Sequence, residues 1–241
     1  MIYLYALYKT DLFAFPQISG LGGTALQPCR FGDITLATEV MSDPPSHSVS
    51  ALCEHEAAVE ALSAMRPILP FRFGTLVADL QPVALAVEKR LTAILANLDR
   101  VTGCVELGLS VRRAVPQPDP YDECDDSAEA ETGRGYLERL RREAEARREG
   151  AQWLRGTVAD LDCRLREMSR CHRRLPSDRP DRLWRTAYLV PWNAMPTFRA
   201  EIAAAQGAAA SGLSLLASGP WPPYSFVKDG LLAVRQELQP A

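Results

Sequence analysis

A stripe of apolar residues at alternating intervals of three and four constrains this chain more than any other feature. It runs through residues 135–175 and comprises Leu137, Leu140, Ala144, Arg147, Ala151, Leu154, Val158, Leu161, Leu165, Met168, His172 and Leu175. This spacing is the seam of a coiled coil, and only Arg147 and His172 are not apolar. The sequence therefore predicts one amphipathic helix over about 134–175, roughly 60 Å long. The alternative is an ordinary helix that faces its own core, because a seam does not identify its partner.

The length and charge of the chain limit the classes of protein that fit. With 241 residues, the chain is long enough for two small domains. A formal charge of −3 leaves no electrostatic footprint for nucleic acid, and no apolar run reaches the ~18 residues that suggest a membrane span. The first residues, MIYLYALYK, lack the basic region of a signal peptide, so we expect a cytoplasmic protein. Six cysteines without a CxxC pair predict reduced, mostly buried thiols.

Residues 1–115 alternate between strand and helix patterns. Strands are expected at 2–8, 34–41, 68–77 and 105–111, and helices at about 50–65 and 80–98. Asp79 is a candidate cap for the second helix, and Pro70 and Gly74 place the third strand at a sheet edge or a bulge. These elements predict an N-terminal α+β domain, an antiparallel sheet under helices that is close to a ferredoxin-like arrangement.

The remaining residues divide into a linker and a second domain. Residues 116–132 carry seven acidic side chains and no basic one, which predicts a solvated linker. Beyond the long helix, strand patterns at 183–190 and 213–217 flank a helix whose apolar face includes Met195 and Phe198. We therefore expect a second α+β domain over residues 133–241.

Residues 219–227, GPWPPYSFV, place three prolines and three aromatic residues in a short space. Proline has no N–H to donate, so regular strand pairing is not expected here. Trp221, Tyr224 and Phe226 are instead expected on a stiff, extended path, where they close the core or meet a partner. We favour closure of the core.

Patterns that suggest catalysis or metal binding are incomplete. His55 and Glu56 begin an HExxH motif, but Val59 stands where the second histidine is required. A helix histidine hydrogen-bonded across the domain is the expected role of His55. Cys171 and His172 have no second pair of ligands at zinc spacing, so a structural role is expected. We therefore expect no catalytic residue, metal site or cofactor.

Residues 20–25, GLGGTA, fit the letters of a dinucleotide fingerprint, and Glu39 lies near the distance for a ribose contact. Pro28 and Gly32 leave no room for the helix whose N-terminus would hold the phosphate. A nucleotide site is therefore not expected.

Arg72 lies between Phe71 and Phe73 in the strand predicted at 68–77, so its side chain is expected on the face opposite to theirs. An internal ion pair with Glu56 or Glu106 is favoured, and binding of a partner carboxylate is the alternative.

A set of motifs in a fixed order resembles the gas vesicle protein F/L family. They are YLY near the start, His55-Glu56, ILPFRFGT at 68–75, GCVELGLSV at 103–111, a long charged helix, AYLV at 187–190 and GPWPPYSFV at 219–227. The resemblance implies a non-enzymatic accessory protein, a minor component that binds the small apolar shell protein of gas vesicles on the gas-facing side and assists its assembly. It also implies a C-terminal ferredoxin-like domain with a coiled coil. Ala6 and the glycine-rich loop depart from the family pattern.

We expect the shell protein, and other gas vesicle accessory proteins, to be the partners of this chain. A sheet edge at 70–75 would act by strand addition, and a helix face at 154–168 by groove packing. The candidate partner-binding residues are Arg72, Phe73, Leu154, Leu161, Trp221, Tyr224 and Phe226. Two alternatives remain: a ligand-binding or cofactor-free enzymatic module on a ferredoxin-like sheet, and a structural coiled-coil adaptor.

Overall fold

A computed structural model describes residues 1–11, 15–113, 141, 156, 158–176, 182–207 and 213–228. The chain divides into two compact units: unit 1 is Met1–Leu107 with Gly219–Ala241, and unit 2 is Gly108–Ser218. The division predicted from sequence, 1–115, 116–132 and 133–241, differs from this one at two places. Residues 108–113 pair in the sheet of unit 2, and residues from 219 onward return to unit 1. The predicted acidic linker lies outside the described residues.

Unit 1 contains an antiparallel sheet built around its first strand. Its strands are β1 (Ile2–Lys9), β2 (Gln27–Phe31), β3 (Ile34–Val40), β4 (Leu69–Pro70) and β5 (Leu76–Val77), in the order β2-β3-β1-β4, with β5 also paired to β1. Strand β1 is central, and Tyr3 to Tyr8 are all buried. The sequence did not predict β2. With β2, three strands precede the first helix of unit 1, whereas a ferredoxin-like arrangement has a helix directly after its first strand.

The predicted strand at 68–77 is wrong as a continuous element. A turn separates β4 from β5, closed by the Thr75 N–H donating to the Arg72 carbonyl oxygen over 3.2 Å. Gly74 makes this turn possible, because its φ of 80° is strained for residues with a Cβ. Arg72 therefore lies on an exposed turn and not on a strand.

The described part of unit 1 contains three α-helices. Helix α1 (Val49–Met65) begins at Ser48, whose hydroxyl accepts the Ala51 N–H over 3.1 Å, and both α1 and α3 pack on β1. The predicted helix at 80–98 is divided into α2 (Gln81–Lys89) and α3 (Leu91–Val101) by the non-helical backbone of Arg90. The N-cap position of α2 is Leu80, which makes no side-chain cap hydrogen bond, and the predicted cap Asp79 lies one residue earlier. Its carboxylate accepts the Gln81 N–H over 2.7 Å.

Unit 2 has its own sheet, with two helices in the described residues. The elements are β6 (Cys104–Arg113), α4 (Ala159–Glu167), β7 (Cys171–Arg174), β8 (Arg182–Pro191), α5 (Met195–Gly207) and β9 (Leu213–Trp221), and the strand order is β7-β8-β6-β9. Residues 104–107 of β6 and 219–221 of β9 are assigned to unit 1. Tyr188 of β8 packs edge-on against Phe198 of α5, and its hydroxyl donates to Asp162 of α4. The chain is therefore α+β in both units, with antiparallel pairing in its sheets.

The predicted helix over 134–175 ends early. Helix α4 ends at Glu167, and Cys171–Arg174 is strand β7, antiparallel to β8 with Cys171 opposite Leu189. His172 and Leu175 therefore do not belong to a helical seam, because the edge of the sheet takes their backbone hydrogen bonds. The seam residues Val158, Leu161 and Leu165 are buried in the core of unit 2. Seam residues 137–154 lie outside the described part of the chain.

Two smaller predictions need correction. Strand β9 continues to Trp221, so Pro220 does pair in the sheet; β9 is an edge strand, where a missing N–H is tolerated. The described thiols are not mostly buried: Cys104 is, but Cys53 and Cys163 are exposed. None of the helices in the described residues is long and apolar enough to span a membrane.

Candidate functional site

Residues 222–228, which we call the strap, follow the end of β9 and lie on unit 1. Pro222 and Pro223 are buried, and the Phe226 side chain is 4% exposed. The Phe226 N–H donates to the Pro223 carbonyl over 3.1 Å, which forms a single 3₁₀ turn. Trp221, just ahead of the strap, remains 42% exposed. The predicted core-closing role is thus met by Phe226 and not by Trp221.

Two polar side chains of α3 hold the main chain of the strap. The Asn97 carboxamide donates to the Phe226 carbonyl and accepts the Lys228 N–H, each over 3.1 Å. Arg100 donates to the same Phe226 carbonyl over 2.5 Å. Asn97 is buried, so these bonds satisfy an amide that would otherwise be costly to desolvate. These contacts of Asn97 and Arg100 involve only main-chain groups of the strap, so they do not depend on its side chains.

Glu106 of β6 holds the strap at Ser225. One carboxylate oxygen accepts the Ser225 N–H over 2.8 Å and the other accepts its hydroxyl over 2.6 Å. The predicted internal ion pair of Arg72 with Glu56 or Glu106 is wrong. Arg72 is exposed and makes no ion pair with a described residue, because the turn at 72–75 directs it away from the buried acids.

His55 connects α1 to both β1 and the strap. Its Nδ1 lies 3.0 Å from the Tyr3 hydroxyl and its Nε2 lies 3.3 Å from the Tyr224 hydroxyl, so the predicted hydrogen bonding across the domain is confirmed. Tyr5 stacks on the imidazole ring and Phe73 meets it edge-on. Burial lowers the pKa of His55 to about 4 and raises the pKa of Tyr224. The imidazole is therefore neutral at physiological pH, and a pKa so far below that pH makes it a weak base.

The glycine-rich loop closes on a buried carboxylate and not on a phosphate. Glu39 accepts hydrogen bonds from the Tyr5 hydroxyl (2.6 Å), the Gly22 N–H (2.9 Å) and the Thr24 hydroxyl (2.6 Å). A Cβ at Gly20 would lie 2.2 Å from a Glu39 oxygen. The glycines that resemble a nucleotide fingerprint are therefore explained by the close approach of the loop backbone to Glu39.

We expect Gly20→Ala to lower the free energy of unfolding by about 1–3 kcal/mol, because Glu39 and Tyr5 must move to admit the methyl group. Chemical denaturation of both proteins measures the difference. Gly207→Ala is the matched control, since no described atom beyond its own helix backbone and chain neighbours lies within 4 Å of a Cβ built there. Equal losses in the two variants would contradict a steric requirement at Gly20.

Unit 1 also carries an apolar groove of about 430 Å³ between the β2–β3 turn and α2. Its lining includes Phe31, Asp33, Leu85, Val87, Glu88 and Leu91. Leu85 is 50% exposed, so the groove presents apolar surface to solvent. Two carboxylates lie beside that surface, and this combination favours an apolar segment that carries a basic group.

The structure brings together only some of the candidate partner-binding residues. Phe73 and Tyr224 both contact His55, and Phe226 is buried nearby in the strap. Leu161 is buried in unit 2, and Leu154 lies outside the described residues. Sequence reasoning missed Asn97, and it named Glu39 and Glu106 only for other roles, a ribose contact and an ion pair with Arg72. The available signal was a polar residue within an otherwise apolar strand or helix face.

Comparison with known proteins identifies relatives across nearly the whole chain. The sequence model of the family described as gas vesicle synthesis protein GvpL/GvpF matches residues 1–228. Gas vesicle protein L of Streptomyces sp. (strain CB03234) is 29% identical over 252 residues, covering 93% of this chain and 91% of that protein.

Two crystal structures are similar in fold. GvpF from Microcystis aeruginosa has a TM-score of 0.72 at 16% identity, covering 94% of this chain and 98% of that chain. GvpF from Anabaena sp. PCC7120 has a TM-score of 0.70 at 17% identity, with coverages of 94% and 95%. The resemblance carried by the motifs is thereby confirmed, and the chain belongs to the gas vesicle synthesis protein GvpL/GvpF family.

Proposed function

We propose that this protein binds the small hydrophobic shell protein of gas vesicles and assists or controls its assembly, without catalysing a reaction. Family membership gives it a role in gas vesicles. We further propose that it acts as a minor component at the gas-facing surface, alongside other accessory proteins. The observation that carries the proposal is the groove between β2 and α2, because exposed apolar surface is what an aggregation-prone apolar subunit would contact.

Strand β2 makes the groove suitable for an extended segment. It is an edge strand of five residues, most of them exposed, and Phe31 at its end lines the groove. A shell segment that added to this edge would place alternate side chains toward Leu85. The edge at 70–75 is less suitable, because β4 and β5 are two residues each and a turn interrupts them. We therefore favour β2 over 70–75 as the site of strand addition.

We expect Leu85→Arg to reduce retention of the co-expressed shell protein about ten-fold, since a guanidinium in the groove displaces apolar contact. Pull-down with the full-length chain measures the retained fraction. Val49→Arg is the matched control, because Val49 is an exposed apolar residue on α1 and does not line the groove. Unchanged retention by Leu85→Arg would contradict the groove as the binding surface.

The volume of the groove also suits a small ligand, which is the ligand-binding alternative. The two functions separate in the same experiment. If the groove binds a small ligand instead, Leu85→Arg leaves retention of the shell protein unchanged. The same substitution then reduces the rise in melting temperature that a bound metabolite causes.

For unit 2 we propose a ferredoxin-like arrangement with a coiled-coil helix ahead of α4. Its support is the chain order of strand, helix, strand, strand, helix and strand, with β6 between β8 and β9 in the sheet. The heptad spacing of residues 137–154 supports the coiled coil.

A further inference from the structure

We infer that unit 1 contains a peptide-binding site for the strap sequence, and that this site accepts the strap of a second copy of the chain. The site, which we call the cradle, consists of His55, Asn97, Arg100 and Glu106. In the structure the cradle holds the strap of its own chain. Exchange of straps would join two copies through contacts already present within one.

The contacts of the cradle are those of a receptor for an extended peptide. Asn97 pairs with a carbonyl and an N–H of the strap main chain, two residues apart. Glu106 takes the Ser225 N–H and hydroxyl, and His55 lies 3.3 Å from the Tyr224 hydroxyl. Phe226 supplies the buried apolar anchor. Together these contacts select a segment of the form Pro-Pro-Tyr-Ser-Phe, and a second copy carries the same segment.

The cradle is poorly suited to remain empty. Asn97 is 1% exposed, so removal of the strap would leave a buried amide without the two main-chain partners that it has now. Glu106 would lose both donors from Ser225. After its strap is released, the cradle is therefore expected to bind another segment that offers the same main-chain and hydroxyl groups.

The strap itself is built for repeated docking. Pro222 and Pro223 fix two φ angles, so a released strap stays extended and loses little conformational freedom when it docks again. Docking within one chain has an effective concentration of about millimolar, so exchange becomes appreciable only where copies are crowded or where docking in the same chain is impaired.

Complementary variants test exchange in the full-length chain. Phe226→Ala keeps the cradle and impairs the strap, while Asn97→Ala keeps the strap and impairs the cradle. We expect each variant alone to be monomeric and their mixture to form a species of twice the chain mass, measured by light scattering. The matched control mixes the double variant, which carries both Phe226→Ala and Asn97→Ala, with either single variant. No such mixture contains both an intact strap and an intact cradle, so no dimer is expected.

A labelled peptide of residues 219–228 gives a second readout. We expect the Phe226→Ala protein to bind this peptide at least about ten-fold more tightly than it binds the same peptide with Phe226→Ala. We also expect it to bind the peptide more tightly than the wild-type protein does, because the wild-type cradle already holds its own strap. If either single variant is unfolded by circular dichroism, Ser225→Glu replaces the strap variant and Glu106→Gln replaces the cradle variant. A mixture that remains monomeric, association that the double variant reproduces, or peptide binding without a dimer would each overturn exchange between copies.

Discussion

Replacing Glu39 with alanine is expected to lower the free energy of unfolding by about 3–5 kcal/mol. The carboxylate is 1% exposed and accepts three hydrogen bonds, from Tyr5, Gly22 and Thr24. Removing it leaves those donors without their acceptor and opens a cavity beneath the loop. Glycine residues that approach the carboxylate closely would no longer have a surface to pack on.

Urea denaturation with fluorescence detection measures this change. Glu39→Gln is expected to fall between wild type and Glu39→Ala, because the amide keeps one acceptor but turns N–H groups toward donors. Glu60→Ala is the matched control: Glu60 is exposed on α1, and surface substitutions usually change stability by less than about 0.5 kcal/mol. Similar values for Glu39→Ala and Glu60→Ala would show that the loop does not depend on the buried acid.

The stability of unit 1 is expected to fall by about 3 kcal/mol as the pH decreases from above 6.5 to below 4, through the protonation of His55. Burial lowers the pKa of His55 from 6.5 to about 4 in the folded chain. Between these values the unfolded chain binds a proton that the folded chain does not, so stability rises with pH across this window. Above pH 6.5 both states are neutral at this residue and the effect is absent.

Comparison with variants isolates His55 from other groups that titrate in the same range. Glu56 is one of these, because burial raises its pKa and its contribution has the opposite sign. His55→Gln is expected to flatten the dependence on pH by about one proton, measured from urea unfolding at several pH values. His172→Gln is the control, since His172 is exposed on β7. A slope in His55→Gln equal to that of wild type would refute the assignment.

The groove and the cradle can be altered independently of each other. The groove beside β2 and the strap cradle occupy different residues of unit 1, so a change in one can be tested without altering the other. Leu85→Arg reports on shell-protein binding, and Asn97→Ala reports on the strap.

Local periodicity predicted the elements that bury one face. Strands β1 and β3, helix α1 and the apolar face of α5 follow from patterns of period 2 or 3.6, which need no knowledge of the partner element. Side-chain periodicity gave wrong predictions where hydrogen bonding to a neighbouring strand determined the backbone conformation. Strand β7 continues the heptad spacing of α4, yet its backbone hydrogen bonds go to β8. Strand β2 has little apolar alternation and is held by β3.

The sequence by itself determined the family, the α+β class and most elements, because motifs and side-chain periods are local properties of the chain. Only the tertiary structure decided what the polar residues do. Asn97 meets Phe226 across 129 positions and Glu106 meets Ser225 across 119, and no local pattern encodes which distant backbone group a buried amide or carboxylate will accept. Those choices follow from the free-energy cost of leaving a buried polar group without a partner once the core has closed.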